Sequence, residues 1–309
     1  MAGEAVSTKH PGRKEGRCVL CPRECGADRE KRTGFCHAGA ALMAARASLH
    51  FWEEPCISGK KGSGAVFFSG CSLQCVYCQN RQIALGEAGV QISQERLYEI
   101  FLELKEKGAE NINLVTGGHF LPQIVPVLRK SKENGFPLPI VWNCSGYEKV
   151  EALKCLEGLV DIYLPDFKYM DPETAKRYSA APDYPSVAVK ALSEMVRQCP
   201  SLSFREDGML QKGVLVRHLL LPGQVRNAKR VLSFLHETYG DRIYISILGQ
   251  YTPMPGIGGR YPELARRVTK REYEWTVDHA LKLGIRNAYI QDREVAKESF
   301  IPSFDGTGI

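Results

Sequence analysis

The sequence predicts an α/β protein in which six strand-and-helix units form a partial or full βα barrel, preceded by a small cysteine-rich module. Three observations carry this. From residue 61 onward, continuously apolar runs rich in β-branched residues alternate with amphipathic helical patterns, as a parallel βα succession requires. Gly, Asn, Asp, Lys and Arg gather at or near the C-terminal ends of those runs, where a barrel places its active site, and this favours a barrel over a doubly wound open sheet. Eight of the eleven cysteines (18, 21, 25, 36, 56, 71, 75 and 78) crowd into the first 78 residues, which marks off the module.

The strand runs in order are AVFFSG (65–70), NINLVTGG (111–118), PIVWNCSG (139–146), VDIYLPDF (160–167), GVLVRHLLLPG (213–223) and RIYISILGQY (242–251). Each is apolar throughout rather than alternating, because a strand in a parallel sheet is covered on both faces. Between them lie amphipathic stretches such as SQERLYEIFLELKEKG (93–108), LPQIVPVLRKSKENG (121–135) and AKRVLSFLHETYG (228–240). All three end on Gly, the residue that a helix C-terminus most readily accepts. Residues 271–292 read as one more helix and a short strand. The boundary between the module (1–60) and the barrel domain with its C-terminal extension (61–309) is expected in the Gly- and Lys-rich SGKKGSG (58–64). The sequence has no internal repeat and no low-complexity segment.

Of the 309 residues, 44% are hydrophobic and 25% charged, the composition of an ordinary globular protein. No segment approaches the roughly 18 apolar residues of a membrane span. The N-terminal MAGEAVSTKHPGRKEGR lacks the apolar stretch of a secretory signal, so a cytoplasmic protein without membrane attachment is expected. Of the net charge of +6, four lie in residues 1–50, where nine basic side chains meet five acidic ones. That excess is too small to argue for nucleic acid, and a solvated tail explains it.

In a reducing compartment eleven cysteines need a reason other than disulfides, and thiols at short spacings are how soft metals are gathered. GCSLQCVYCQN (70–80) spaces Cys71, Cys75 and Cys78 with three and then two residues between them, directly after the first strand. Such a loop bends three thiolates around one cubane cluster, whereas a closed electron-transfer cluster needs a fourth. Three ligands leave one iron open, which is the mark of a catalytic metal. The alternative is three of four zinc ligands with the fourth elsewhere.

This CxxxCxxC loop, with Tyr77 just before its last cysteine, resembles that of radical S-adenosylmethionine (SAM) enzymes. The resemblance covers about residues 65–255, and the branch it is most similar to is that of pyruvate formate-lyase activating enzymes and their uncharacterised homologues. It implies a partial (β/α)6 barrel of the radical SAM type. It also implies a 4Fe–4S cluster on Cys71, Cys75 and Cys78, with SAM on the open iron beside Tyr77, cleaved reductively to a 5′-deoxyadenosyl radical. The partners it implies are a protein substrate, either a glycyl-radical-type enzyme or a peptide, and a flavodoxin- or ferredoxin-type electron donor.

Four more features match strand-end positions that hold SAM in the activating enzymes. VTGG (115–118) resembles the family's Gly-Gly-Glu stretch, which implies main-chain contact at Gly117 and Gly118, although His119 stands where Glu is usual. Asn143 and Ser145 in WNCSGY match ribose and methionine contacts, and their side chains suit hydroxyl partners. Asp166 and Lys168 in PDFK resemble an Asp-Leu-Lys motif near the radical site and stand as the catalytic candidates. Arg217 in VRHLLLPG matches an arginine that contacts SAM, a role for which a guanidinium fork is suited. The plain alternatives are strand-end polar residues for Asn143 and Ser145, and a structural ion pair of Asp166 with Lys168 or Arg217.

Cys18, Cys21, Cys25 and Cys36 are separated by two, three and ten residues, close enough to close a second site, either zinc or iron–sulfur; the alternative is buried or mobile thiols that hold no metal. Similar sets occur in the uncharacterised homologues. Cys56 in EEPCISG is a substitute ligand, a redox thiol or a plain buried cysteine, and the last is favoured. Cys144, Cys155 and Cys199 read as core residues, and His119 and His218 as structural histidines that lie beside motif positions. Within enzymes the runner-up is radical modification of another peptide or of a small molecule. Outside them it is a non-catalytic metal-binding adaptor.

Overall fold

The structure, a computed structural model, describes residues 12–14, 16–290 and 302–309. A ten-stranded sheet forms its centre. The strands are β1 (Met43–His50), β2 (Ser63–Phe68), β3 (Val90–Gln91), β4 (Ile112–Val115), β5 (Ile140–Cys144), β6 (Ile162–Pro165), β7 (Ser203–Phe204), β8 (Leu210–Leu219), β9 (Tyr244–Leu248) and β10 (Ala288–Ile290). Their order is β10-β9-β8-β6-β5-β4-β2-β1-β3, with β7 beside β8. From β2 across to β10 every pairing on this path is parallel, whereas β1, β3 and β7 pair antiparallel. Among the described residues β3 and β10 do not pair with each other, so the barrel is partial, as expected. All six expected strands are present, and β10 is the short terminal strand; residues 291 and 292 of that prediction lie outside the described residues.

The helices form where apolar side chains recur at helical spacing. In α1 (Gln94–Glu106), Leu97, Ile100, Phe101 and Leu104 are buried, and the Ser93 hydroxyl caps the first turn by accepting from Arg96 N–H. Helix α2 spans Leu121–Glu133, α3 Val150–Lys154, α4 Pro172–Ser179 and α5 Tyr184–Gln198. Helix α6 (Val225–Tyr239) buries Ala228, Val231, Leu232 and Leu235, and α7 (Lys270–Leu283) opens on a capping box of Thr269 and Glu272.

The expected module boundary near residue 60 does not follow the sheet. Met43–His50, assigned by sequence to the module, is strand β1 and pairs with β2 from Ala44↔Phe68 to His50↔Ser63. In MAARASLH the small Ala44, Ala45 and Ala47 are buried while Arg46 and residues 48–50 are only partly so, a pattern neither continuously apolar nor cleanly alternating. The chain's last residues run along β1: Ala47 N–H donates to Thr307 O at 2.9 Å, and Arg46 pairs with Asp305 at 3.2 Å. Because the parallel strands share one direction, their C-terminal ends open onto one side of the molecule, and the cysteine loop leaves β2 there.

Candidate active site

At that side lies a cavity of about 260 Å³. Its lining unites Cys71, Cys75 and Cys78 with Asn143, Ser145, Asp166, Lys168 and Arg217. Four separate stretches of sequence thus meet in one place, brought there by strand order. Burial pushes the Cys71 thiol up, and it pushes Cys78 up to about 12, aided by the neighbouring thiols of Cys71 and Cys75. Three crowded thiols whose ionised forms repel one another are a donor set that a multivalent iron centre relieves. The rest of the lining offers an amide, a hydroxyl and charges of both signs, which match the hydroxyls, carboxylate and amine of SAM. The residues therefore fit both the cluster and the cofactor.

Register fixes the charged groups. Asp166 and Arg217 face each other in an isolated parallel bridge just past β6 and within β8. Arg217 Nε–H donates to Asp166 Oδ1 at 3.0 Å, Nη1–H to Glu53 Oε2 at 2.9 Å and Nη2–H to Asn143 Oδ1 at 2.6 Å. Lys168 Nζ donates to Asp166 Oδ2 at 2.7 Å. Burial opposes the charge of Asp166, but Arg217 and Lys168 outweigh it and hold the carboxyl below its usual range. For Lys168 and Arg217 burial likewise opposes the charge, yet Asp166 raises both, so all three stay ionised near neutral pH. The Tyr184 hydroxyl lies 2.9 Å from Ser145 O and 3.0 Å from Asp166 O and accepts Lys168 N–H at 2.9 Å. One side chain of α5 thereby pins two strand ends.

Other expectations land differently. Tyr77 does not line the cavity; it is buried behind the loop, its hydroxyl 2.6 Å from that of Tyr169, which in turn meets Ser179 Oγ at 2.8 Å. An aromatic side chain with a buried polar tip needs such a partner, and the chain of hydroxyls supplies it. At the β4 end the cavity is lined by Val115 and Thr116, not by the two glycines. Thr116 has φ of +60°, and beyond this bend Gly118 lies against Glu148, whose Oε2 a Cβ there would approach to 2.7 Å. His119 is buried with Nε2 2.7 Å from Ser69 O, and His218 with Nδ1 2.7 Å from Phe167 O; burial lowers both to about 4. Cys56 is buried in an apolar cluster with Val141, Ile162 and Leu215, and burial raises it to about 11.

Sequence reasoning missed Glu53, which accepts from Asn113 and Asn143 at 3.1 Å each as well as from Arg217. Nothing around it signals a site; only the fold carries it into one. Thr116, His50, Trp52 and Gln250 join the lining too, as does Pro302 from the C-terminal segment.

The four N-terminal cysteines stand apart from the cavity, with Cys36 the thiol that neighbours each of the other three; among the described residues they do not form a ready-made group of three or more metal ligands. Burial raises Cys21 to about 12, with the thiols of Cys36 and Cys18 adding to it, and burial raises Cys36, with Cys18 and Cys25 adding. A Cβ on Gly34 would lie 3.2 Å from Cys25 Sγ and 3.6 Å from Cys36 Sγ, so both thiols pack closely over this glycine.

The family model of the Radical SAM superfamily matches residues 65–225, just over half of the chain. The chain belongs to the radical SAM superfamily. An uncharacterised protein of Methanocaldococcus jannaschii is 26% identical over 280 residues, which are 88% of this chain and 76% of that one. The pyruvate formate-lyase-activating enzyme of Clostridium pasteurianum is 30% identical over 116 residues, 36% of this chain and 48% of its own. The solved structure of methylornithine synthase superposes with a TM-score of 0.49 at 15% identity, over 71% of this chain and 60% of that one. No helix among the described residues is long and apolar enough to cross a membrane.

Proposed function

We propose that Cys71, Cys75 and Cys78 ligate a 4Fe–4S cluster with SAM on its open iron, and that the chain abstracts hydrogen from a protein substrate, as glycyl-radical activating enzymes do. One observation supports this above the rest: the three thiols line the same cavity as Asn143, Ser145, Asp166, Lys168 and Arg217. When bound, the cluster and cofactor supply one-electron reductive cleavage of SAM. The protein's own part is to bind and orient. Asn143 and Ser145 offer hydrogen bonds to hydroxyls, and Thr116 at the β4 end presents main chain to the cofactor. Lys168, tied to Asp166, places its charge where it acts on Cys71 and Cys78 and holds its proton there. The network of Arg217, Glu53 and Asp166 keeps this wall fixed, which is how binding energy becomes orientation. A flavodoxin- or ferredoxin-type protein is the proposed electron donor, and the four N-terminal thiols are proposed to hold a second site, zinc or iron–sulfur.

The substrate class is tested by deuterium. With a glycyl-radical-type enzyme carrying α-deuterated glycine as partner, the expected result is deuterium in 5′-deoxyadenosine and a glycyl signal in the partner's paramagnetic resonance spectrum. Deuterium transfer from a short peptide alone would instead favour peptide modification.

A further inference from the structure

Arg23 sits midway between Cys21 and Cys25, yet its side chain reaches out of the module onto the cluster loop. Its Nε–H donates to Ser72 O at 2.9 Å, and Nη2–H groups donate to Leu73 O at 3.2 Å and Ser179 O at 2.8 Å. The Nη1 group donates to Ala180 O at 2.5 Å. Phe35 of the module covers one guanidinium contact at 4.2 Å from its ring centroid, and Tyr147 of the barrel lies at 5.2 Å. Four main-chain carbonyls, two from the cluster loop and two from the C-terminal end of α4, thus share one cation.

Those two segments frame the catalytic cysteines. Ser72 and Leu73 follow Cys71 directly. Ser179 and Ala180 close α4, where the Ser179 hydroxyl donates to Cys75 Sγ at 3.1 Å and Tyr178 O accepts Val76 N–H at 2.9 Å. The module adds two more contacts: Cys36 O accepts Cys71 N–H at 3.1 Å, and the Gln74 amide donates to Phe35 O. Gln74 is held at φ of +55° within the loop, and Ala180 at +48°. Non-glycine residues persist in that region only where the surroundings over-determine them. Carbonyls without a main-chain partner need donors, and a planar guanidinium with five N–H groups can serve all four at once where the three N–H groups of an ammonium cannot.

We propose that Arg23 is a positioning residue for the cluster loop, so that the N-terminal cysteine module acts as the template on which Cys71, Cys75 and Cys78 take up their ligating geometry. This rests on the reading that those three cysteines hold the cluster. It gives the module a function that does not depend on electron transfer. Glu24 N–H donates to Cys21 O at 3.1 Å and closes the turn that carries Arg23, and Arg23 fixes the loop.

The test uses the full chain, iron-free and reconstituted, as wild type, Arg23→Ala and Arg23→Lys. In Arg23→Ala, amide exchange across residues 71–78 and iron loss to a chelator should each quicken at least about tenfold. Exchange in strands Ile112–Val115 and Ile140–Cys144 should stay at wild-type rates. Arg23→Lys should behave as Arg23→Ala does, and it carries the same test if the alanine variant cannot be purified. Added methylguanidine should restore slow iron loss to Arg23→Ala, while methylammonium should not. Wild-type loop exchange in a folded variant overturns the proposal, and so does rescue by methylammonium. Exchange in iron-free protein reads the positioning role alone, whereas full iron retention in Cys71→Ala would overturn the cluster reading and leave the role of Arg23 standing.

Discussion

Arg217 is the point on which the charge balance of the cavity turns. It is 16% exposed and Glu53 8%, and it is the shared partner of Glu53 and Asp166. Removing one member of a buried ionic network leaves the others uncompensated, at a cost of about 3–5 kcal/mol. Arg217→Ala should therefore lower the thermal midpoint sharply, and adding Glu53→Gln should recover part of the loss. An unchanged midpoint in Arg217→Ala would show that the network is not holding the strand ends. Glu54, next to Glu53, behaves in the opposite way. Burial raises its carboxyl from 4.5 to about 7, with Arg217 pulling it down and Glu53 pushing it up, and its Oε2 lacks a hydrogen-bond partner among the described residues. Because the folded state holds this proton more tightly than the unfolded one, its contribution is favourable at low pH. It is lost as pH rises from about 4.5 to about 7 and stays lost above. Glu54→Gln should match wild type near pH 4 and exceed it by about 3 kcal/mol at pH 8. A stability difference that does not vary with pH would contradict this.

At the scale of elements, the site depends on how closely the strand ends approach. Gly146 follows Ser145 with φ of +74°, and a Cβ there would lie 2.4 Å from Asp166 O. Only glycine combines that conformation with that contact. Gly146→Ala should cost about 1–3 kcal/mol and push the Asp166 segment away from β5. The measurements are the thermal midpoint and amide exchange at Asp166, whose N–H now bonds to Cys144 O at 2.9 Å. Unaltered exchange would mean that the two strand ends do not constrain each other. Six of the seven parallel strands were legible in the sequence as continuously apolar runs, because strands buried on both faces read that way, and Gly108, Gly135 and Gly240 do lie just past helices at positive φ. Strand β1 was not legible, since its small and polar residues form no continuously apolar run.

Over the whole molecule, the sequence placed Cys71, Cys75, Cys78, Asn143, Ser145, Asp166, Lys168 and Arg217, and the fold brings all eight to one cavity. They could be read because each sits in a short strand-end motif. Glu53 could not, because its role comes from a long-range contact with Arg217, and neither could Pro302, which the C-terminal segment carries to the cavity along β1. Tyr77 and Gly118 were legible as motif members, but their side-chain space is filled by Tyr169 and Glu148 rather than by the cavity. The central claim is that the triplet, not the module, carries the reactive cluster. Its direct measurement is 5′-deoxyadenosine released from SAM by anaerobically reconstituted, chemically reduced protein. The account predicts release by wild type and by Cys25→Ala, though slower in the latter, and none by Cys71→Ala, Cys75→Ala or Cys78→Ala. Release at the wild-type rate by any of the triplet variants, or none by iron-loaded wild type, would contradict it.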